Sequence, residues 1–197
     1  MELKIIIAGI GGQGVVYATK VLSQAALLRG EKVMASENHG MSQRGGSVMS
    51  HVKIGGGDAP LIRRGTADFV IGFDATEAVL NLPYVRGGGH VFVTGWGDTS
   101  GRPLLDPAVA ARLAELGIGV HTIHADACAH ELKAPAVTNL AVLGFVAAHP
   151  YFGVTVDDLK NAVRALGPAK AVELNLKALD LGAAQIPREA SQLQTSN

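Results

Sequence analysis

Three features of the sequence predict an α/β fold with a mainly parallel sheet. Short β-branched and apolar runs alternate with segments whose apolar residues recur at helical spacing. The first such run leads into a glycine-rich turn, Ala8-Gly9-Ile10-Gly11-Gly12-Gln13-Gly14-Val15, which opens a helix. The C-terminal third carries three successive helical patterns and no strand pattern. The expected architecture is Rossmann-like and three-layered, with helices following the sheet at the C-terminus. A chain of 197 residues is most simply one domain of this kind and long enough to bury a good core.

The elements follow in order. Leu3 to Ala8 reads as a buried first strand. Val15, Ala18, Val21, Leu22, Ala25 and Leu28 form the apolar stripe of a helix packed on a sheet, and Gly30 ends it. Lys32 to Ser36 reads as the second strand, which would complete a right-handed βαβ unit. Asn38 to Ser47 is a polar, glycine-rich loop. In Val48 to Ile54, apolar and mixed residues alternate, as in a strand exposed on one side. Gly55-Gly56-Gly57-Asp58 is a turn. Phe69 to Phe73 reads as a central strand ending at Asp74, and Ala75 to Leu82 as a short helix stopped by Pro83. Gly87-Gly88-Gly89 is read as a turn before a strand from His90 to Thr94. Gly95 to Arg102 is a polar loop with the only tryptophan, Trp96. Asp106-Pro107 starts a helix that runs to about Leu116, with aspartate as cap and proline at the first helical position. Gly119 to Ile123 is a further strand. Helices are predicted over Pro135 to Ala148, Val156 to Leu166 and Ala171 to Leu181, the last ending at Gly182. A domain over residues 1–184 and a polar tail over 185–197 are expected.

Composition narrows the function. Hydrophobic residues make up 48% and charged residues 17%, so part of the surface is expected to lie against a partner. Basic and acidic side chains balance at 17 each, which gives no general attraction to nucleic acid or to an anionic membrane. Cys128 is the single cysteine. One thiol forms no internal disulfide and holds no iron–sulfur cluster, which usually takes four. It is compatible with the reducing cytosol, and a cytoplasmic location is expected. No signal peptide is evident, because the N-terminal apolar run is short and continues into the glycine turn. No stretch reaches the roughly 20 apolar residues of a membrane span.

Several groups of residues bear on chemistry. Gly9, Gly11 and Gly14 fit the G-x-G-x-x-G pattern, and Gly12 adds a fourth glycine. Such a turn permits backbone angles closed to other residues and presents amides to an anion. Glu37, at the end of the second strand, sits where an acidic residue holds a ribose hydroxyl in NAD enzymes; the plain alternative is a solvated carboxylate. Arg63-Arg64 could clamp a phosphate but is more simply solvated. His121, His124, Asp126, Cys128 and His130 resemble a metal-ligand run. Two histidines three apart on a strand face opposite ways, and zinc needs three or four convergent ligands, so no metal is assigned. Nothing near Cys128 marks it as a nucleophile.

Two motifs together carry a resemblance. Gly9-Ile10-Gly11-Gly12-Gln13-Gly14 is followed by Glu37-Asn38-His39-Gly40-Met41-Ser42-Gln43-Arg44-Gly45-Gly46-Ser47-Val48 and Ser50-His51-Val52. Further on stand Pro60-Leu61-Ile62, Thr138-Asn139-Leu140-Ala141-Val142-Leu143-Gly144 and Asn175-Leu176-Lys177-Ala178-Leu179. With these the chain resembles the gamma-type subunit or domain of the 2-oxoacid:ferredoxin oxidoreductases, and most of all the small subunit of the indolepyruvate type, over almost its whole length up to about Gly182.

The resemblance implies a subunit of an enzyme that oxidatively decarboxylates a 2-oxoacid to an acyl-coenzyme A while reducing ferredoxin. It implies thiamine diphosphate, Mg and iron–sulfur clusters in large partner subunits, coenzyme A as acyl acceptor, and no cofactor bound by this chain alone. It does not imply bound NAD. Gly11, Gly12, Gln13, Gly14, Ser42, Gln43, Arg44, Gly45 and Gly46 are then expected to face a shared active site. Arg44 would offer charge to a coenzyme A phosphate or to a carboxylate across the interface; otherwise it orders its own loop. No catalytic residue is assigned. An arylpyruvate is the favoured substrate, with pyruvate, ketoisovalerate and 2-oxoglutarate as alternatives. A stand-alone NAD- or FAD-binding protein and a non-catalytic assembly module are the other readings.

Overall fold

The computed structural model describes residues 2–39, 45–94 and 105–186. A six-stranded sheet is built from β1 (Leu3–Ile10), β2 (Val33–His39), β3 (Ser47–Ile54), β4 (Ala67–Gly72), β5 (Val85–Thr94) and β6 (Gly119–Ile123). The strand order is β2-β3-β1-β4-β5-β6. β1, β4, β5 and β6 run parallel, while β3 runs antiparallel to both of its neighbours. The helices are α1 (Val15–Leu28), α2 (Ala75–Asn81), α3 (Pro107–Glu115), α4 (Ala125–Glu131), α5 (Thr138–Ala147), α6 (Val156–Leu166) and α7 (Ala169–Ala183).

Strand alternation splits the core in two. Ile5 and Ile7 of β1, with Phe69, Ile71 and Phe92, join a large cluster under α1, α5, α6 and α7. Ile6, Val70 and Val91 point the other way and pack with Leu113 and Ile118 around α3. The result is the three-layer α/β architecture expected from the alternating pattern.

Local sequence explains most element ends. Gly30 has φ +76, its amide donates to Leu27, and the Glu31 amide donates to Ala26. That is the six-to-one and five-to-two bonding of a left-handed helix stop. Asp106 caps α3, with Pro107 at its first position. α6 begins with a full capping box between Thr155 and Asp158.

Five expectations need correction. β2 does not lie beside β1. β3 is inserted between them, because the 38–47 segment joins two antiparallel strands and so returns the chain to the β1 edge. The mixed face of β3 is also less exposed than expected, since Met49 and Lys53 are half-buried and His51 between them is covered. His51 is buried, with the Ile62 amide donating to its Nδ1 at 3.1 Å and Tyr84 against its ring. Gly87-Gly88-Gly89 is not a separate turn but part of β5, which starts at Val85; the β4 pairing shifts register between Ala67 and Phe69 to absorb it. α4 is an additional short helix, with His124 at its N-cap and not on a strand. Gly182 does not end α7, which continues to Ala183. It is glycine because a Cβ there would run into the Ala141 backbone of α5.

Candidate functional site

β1, β4 and β5 end at the same edge of the sheet, and a cleft of about 660 Å³ opens beyond their C-terminal ends. The chain leaves β1 toward β2 and leaves β4 toward β5, in opposite directions along the sheet. This divergence leaves a crevice, the place where open α/β sheets bind ligands. The glycine turn, the start of α2 and the start of α5 form its walls.

The glycine turn is held mainly by itself. The Ile10 amide donates to Gln13 Oε1 at 2.8 Å, and the Gln13 amide donates to the Ile10 carbonyl at 3.0 Å. Gln13 thus lines the cleft while its carbonyl oxygen faces its own backbone. Gly9 allows a close approach, since a Cβ there would stand 2.9 Å from Val15 Cγ2 and 3.2 Å from Phe73 Cβ. Gly14, at φ +80, is the α1 N-cap and has no side-chain cap bond. Asn139, buried at the start of α5, donates from Nδ2 to the Gly14 carbonyl at 3.2 Å and accepts the Leu140 amide at 2.8 Å. One carboxamide therefore joins the two helix starts.

The two sequence motifs meet. The Gly11 amide donates to the Gly46 carbonyl at 2.8 Å, continuing the β1–β3 ladder one step beyond Ile10 and Ser47. Gly11, Gly12, Gln13 and Gly14 are thereby brought together with Gly45 and Gly46. Ser42, Gln43 and Arg44 lie outside the described residues.

Charge in the cleft is uneven. Asp74 lines it and caps α2, accepting the Thr76 and Glu77 amides at 2.8 and 3.1 Å. Asp126, in the first turn of α4, adds a second carboxylate. No lysine, arginine or histidine is among the described residues of the lining. The first turn of α1 carries no acidic side chain, nor does that of α5, so the amides at these helix starts are electropositive features of the wall. Asp74 and Asn139 line the site without being singled out from the sequence, Asn139 standing there only within a quoted motif, while Asp126 is weighed only as part of a metal-ligand run.

Glu37 is poorly placed for a ribose. It pairs with Ser50 of β3, so β2 stands two strand spacings, about 10 Å, from the β1 turn. The stand-alone dinucleotide reading loses its acidic partner for this geometric reason.

The histidines lie elsewhere. Among the described residues, no group of three or more His, Cys, Asp or Glu is arranged to hold a metal ion. Cys128 is buried, and burial pushes its thiol up, away from the thiolate a nucleophile needs. His90, His121 and His149 cluster beside Phe92 and Tyr151, with His90 Nδ1 and His121 Nε2 3.1 Å apart. Burial first, then His149 and His90, lowers the His121 pKa from 6.5 to about 4. The folded state refuses a proton that the unfolded chain accepts, so stability is full above pH 6.5 and falls as pH drops toward 4. The urea midpoint of the full chain should therefore decline from pH 7 to pH 5, and less steeply in His121→Phe. An equally steep decline in that variant would remove His121 as the cause.

Comparison with known proteins agrees with this architecture. The family model described as pyruvate ferredoxin/flavodoxin oxidoreductase matches residues 4–185. Indolepyruvate oxidoreductase subunit IorB of Pyrococcus horikoshii is 34% identical over 92% of this chain and 94% of its own length. Ketoisovalerate oxidoreductase subunit VorA of Methanothermobacter marburgensis is 29% identical over 92% of this chain and 36% of its own length. The crystal structure of a keto/oxoacid ferredoxin oxidoreductase gamma subunit from Geobacter sulfurreducens has the same fold. It superposes with a TM-score of 0.71 at 23% identity, covering 92% of this chain and 96% of that one.

Proposed function

The chain belongs to the pyruvate ferredoxin/flavodoxin oxidoreductase family and is a small subunit of a 2-oxoacid:ferredoxin oxidoreductase, and from that premise we propose that its 2-oxoacid is an arylpyruvate such as indolepyruvate. The full-length match to an indolepyruvate oxidoreductase subunit carries this reading, and the ketoisovalerate relative matches less closely. The reaction converts the 2-oxoacid and coenzyme A to acyl-coenzyme A, carbon dioxide and a proton, and passes two electrons to ferredoxin. Thiamine diphosphate with Mg supplies the carbanion chemistry, and iron–sulfur clusters carry electrons. We assign both groups to large partner subunits and the complex to the cytoplasm; the single cysteine, where a cluster usually takes four, supports the first assignment. Among the described residues, no helix is long and apolar enough to cross a membrane.

This chain's contribution is the cleft wall, within a domain spanning residues 1–184. The amides at the start of α1 suit an anionic group, and Gly12 and Gly14 keep the wall there thin and polar. Asp74 and Asp126 would repel a phosphate, so a coenzyme A phosphate needs an added cation. Arg44, two residues before Gly46 on the second motif, is the residue of this chain proposed to supply it. In the assembled complex, Arg44→Ala should raise the coenzyme A KM by roughly tenfold or more, the worth of a charge-assisted bond. Unchanged KM with unchanged assembly would assign Arg44 to its own loop. The substrate is tested by comparing kcat/KM for indolepyruvate, pyruvate, ketoisovalerate and 2-oxoglutarate, with indolepyruvate expected to lead.

A further inference from the structure

Glu77 is a buried carboxylate in the first turn of α2, a type of side chain seldom buried without a partner. Among the described residues its side-chain partner is a hydroxyl and not a cation. Ser47 Oγ donates to Glu77 Oε2 at 2.7 Å, a short bond to an acceptor on another element. Ser47 is the first residue of β3, directly after Gly45 and Gly46, and it pairs with Ile10, the last residue of β1. One step further the Gly11 amide meets the Gly46 carbonyl. Three segments, following β1, preceding β3 and following β4, are thus tied at one point beside the cleft, whose lining takes Gly12 to Gly14 from the first and Asp74 to Thr76 from the third.

We propose that Glu77 is a positioning residue: through Ser47 it fixes the Gly45–Gly46 backbone against Gly11 and so sets the turn whose Gly12, Gln13 and Gly14 line the cleft. Glu77 is absent from the cleft lining and acts only through Ser47. Its base is firm, since the Asp74 side chain caps the same turn and Asn81 Nδ2 donates to the Glu77 carbonyl at 2.8 Å. Ser47 is exposed, so little else holds its hydroxyl in place. Removing either partner leaves the Gly45–Gly46 backbone to the Gly11–Gly46 bond and the end of the β1–β3 ladder. The consequence for coenzyme A rests on the function proposed above; the consequence for the backbone does not.

Two readouts in the assembled complex test this. In Glu77→Ala, hydrogen exchange at the Gly11 amide should quicken by about tenfold, the order expected for losing a charge-assisted bond. The coenzyme A KM should rise several-fold, with kcat held within about twofold. Ser47→Ala should reproduce both effects, the double variant should add nothing, and Glu77→Gln, which keeps an acceptor, should restore most of the wild-type behaviour. Unchanged Gly11 exchange in Ser47→Ala, or simply additive effects of the two alanines, would overturn the proposal. Ser47→Ala keeps the test decisive if Glu77→Ala fails to fold. A wild-type complex without coenzyme A-dependent oxidation of any 2-oxoacid would refute the functional reading, while the exchange comparison would still decide the role of Glu77.

Discussion

Gly182→Ala is expected to destabilise the chain by about 3 kcal/mol, measured as the shift in urea unfolding of the full chain. Helix propensity alone predicts the opposite sign, because alanine is favoured over glycine by about 1 kcal/mol in a helix interior. Packing decides the matter. α7 crosses α5 so closely that a Cβ on Gly182 would fall on the Ala141 carbonyl oxygen, well inside van der Waals contact. The approach is reciprocal: a Cβ on Gly144 of α5 would fall on the Leu179 carbonyl oxygen of α7. Both obstacles are backbone, which cannot rotate aside as a side chain can. The helices would have to separate, and Leu140, Leu143, Ala178 and Leu179 would lose their close packing. Gly144→Ala should behave alike. A stabilised Gly182→Ala would mean that the two helices do not cross at this distance.

That glycine shows where sequence reading ends. Gly182 near a helix end looks like a terminator, and nothing local distinguishes a stop from a close crossing. The sequence pattern placed α1, α3, β6 and α6 almost to the residue, and β1, β4 and α5 within two or three residues, because apolar runs and helical spacing follow burial. It did not disclose that β3 enters between β1 and β2. Strand order depends on which edges pair, and alternation in Val48 to Ile54 is the same beside either neighbour. α4 is too short to show a period, and its N-cap is a histidine without a side-chain cap bond.

The site divides in the same way. The turn at Gly12 to Gly14, which lines the cleft, and the Gly11–Gly46 contact beside it fall in glycine motifs, because backbone demands write themselves as glycine. Asn139, Asp74 and Glu77 were not legible in this way, because each is ordinary in its own element. Asn139 lies 125 residues from Gly14, and only the packing of α5 beside α1 makes it part of the turn. Ser47 and Glu77 are 30 residues apart on different elements. Polar residues of this sort acquire a role from the residues folded against them, which neither spacing nor composition records.

Gly14→Ala is expected to have the largest effect of any single methyl added to the cleft, at about 4 kcal/mol in stability and at least tenfold in turnover of the assembled complex. Two costs add at this position. The backbone stands at φ +80, which an L side chain enters at a cost of about 1–2 kcal/mol. The new Cβ would also collide with the Asn139 carboxamide, which links the Gly14 carbonyl to the Leu140 amide. Displacing it leaves buried polar groups unpaired and pushes the starts of α1 and α5 apart at the cleft wall. Gly12→Ala is the control. Its φ is +104, but its Cβ would meet no atom of the described residues within 4 Å, so it should show the backbone cost alone. Adding Asn139→Ala to Gly14→Ala removes the collision, so the double variant should be less destabilised than the sum of the two single changes. Strict additivity would show that the carboxamide is not what Gly14 makes room for.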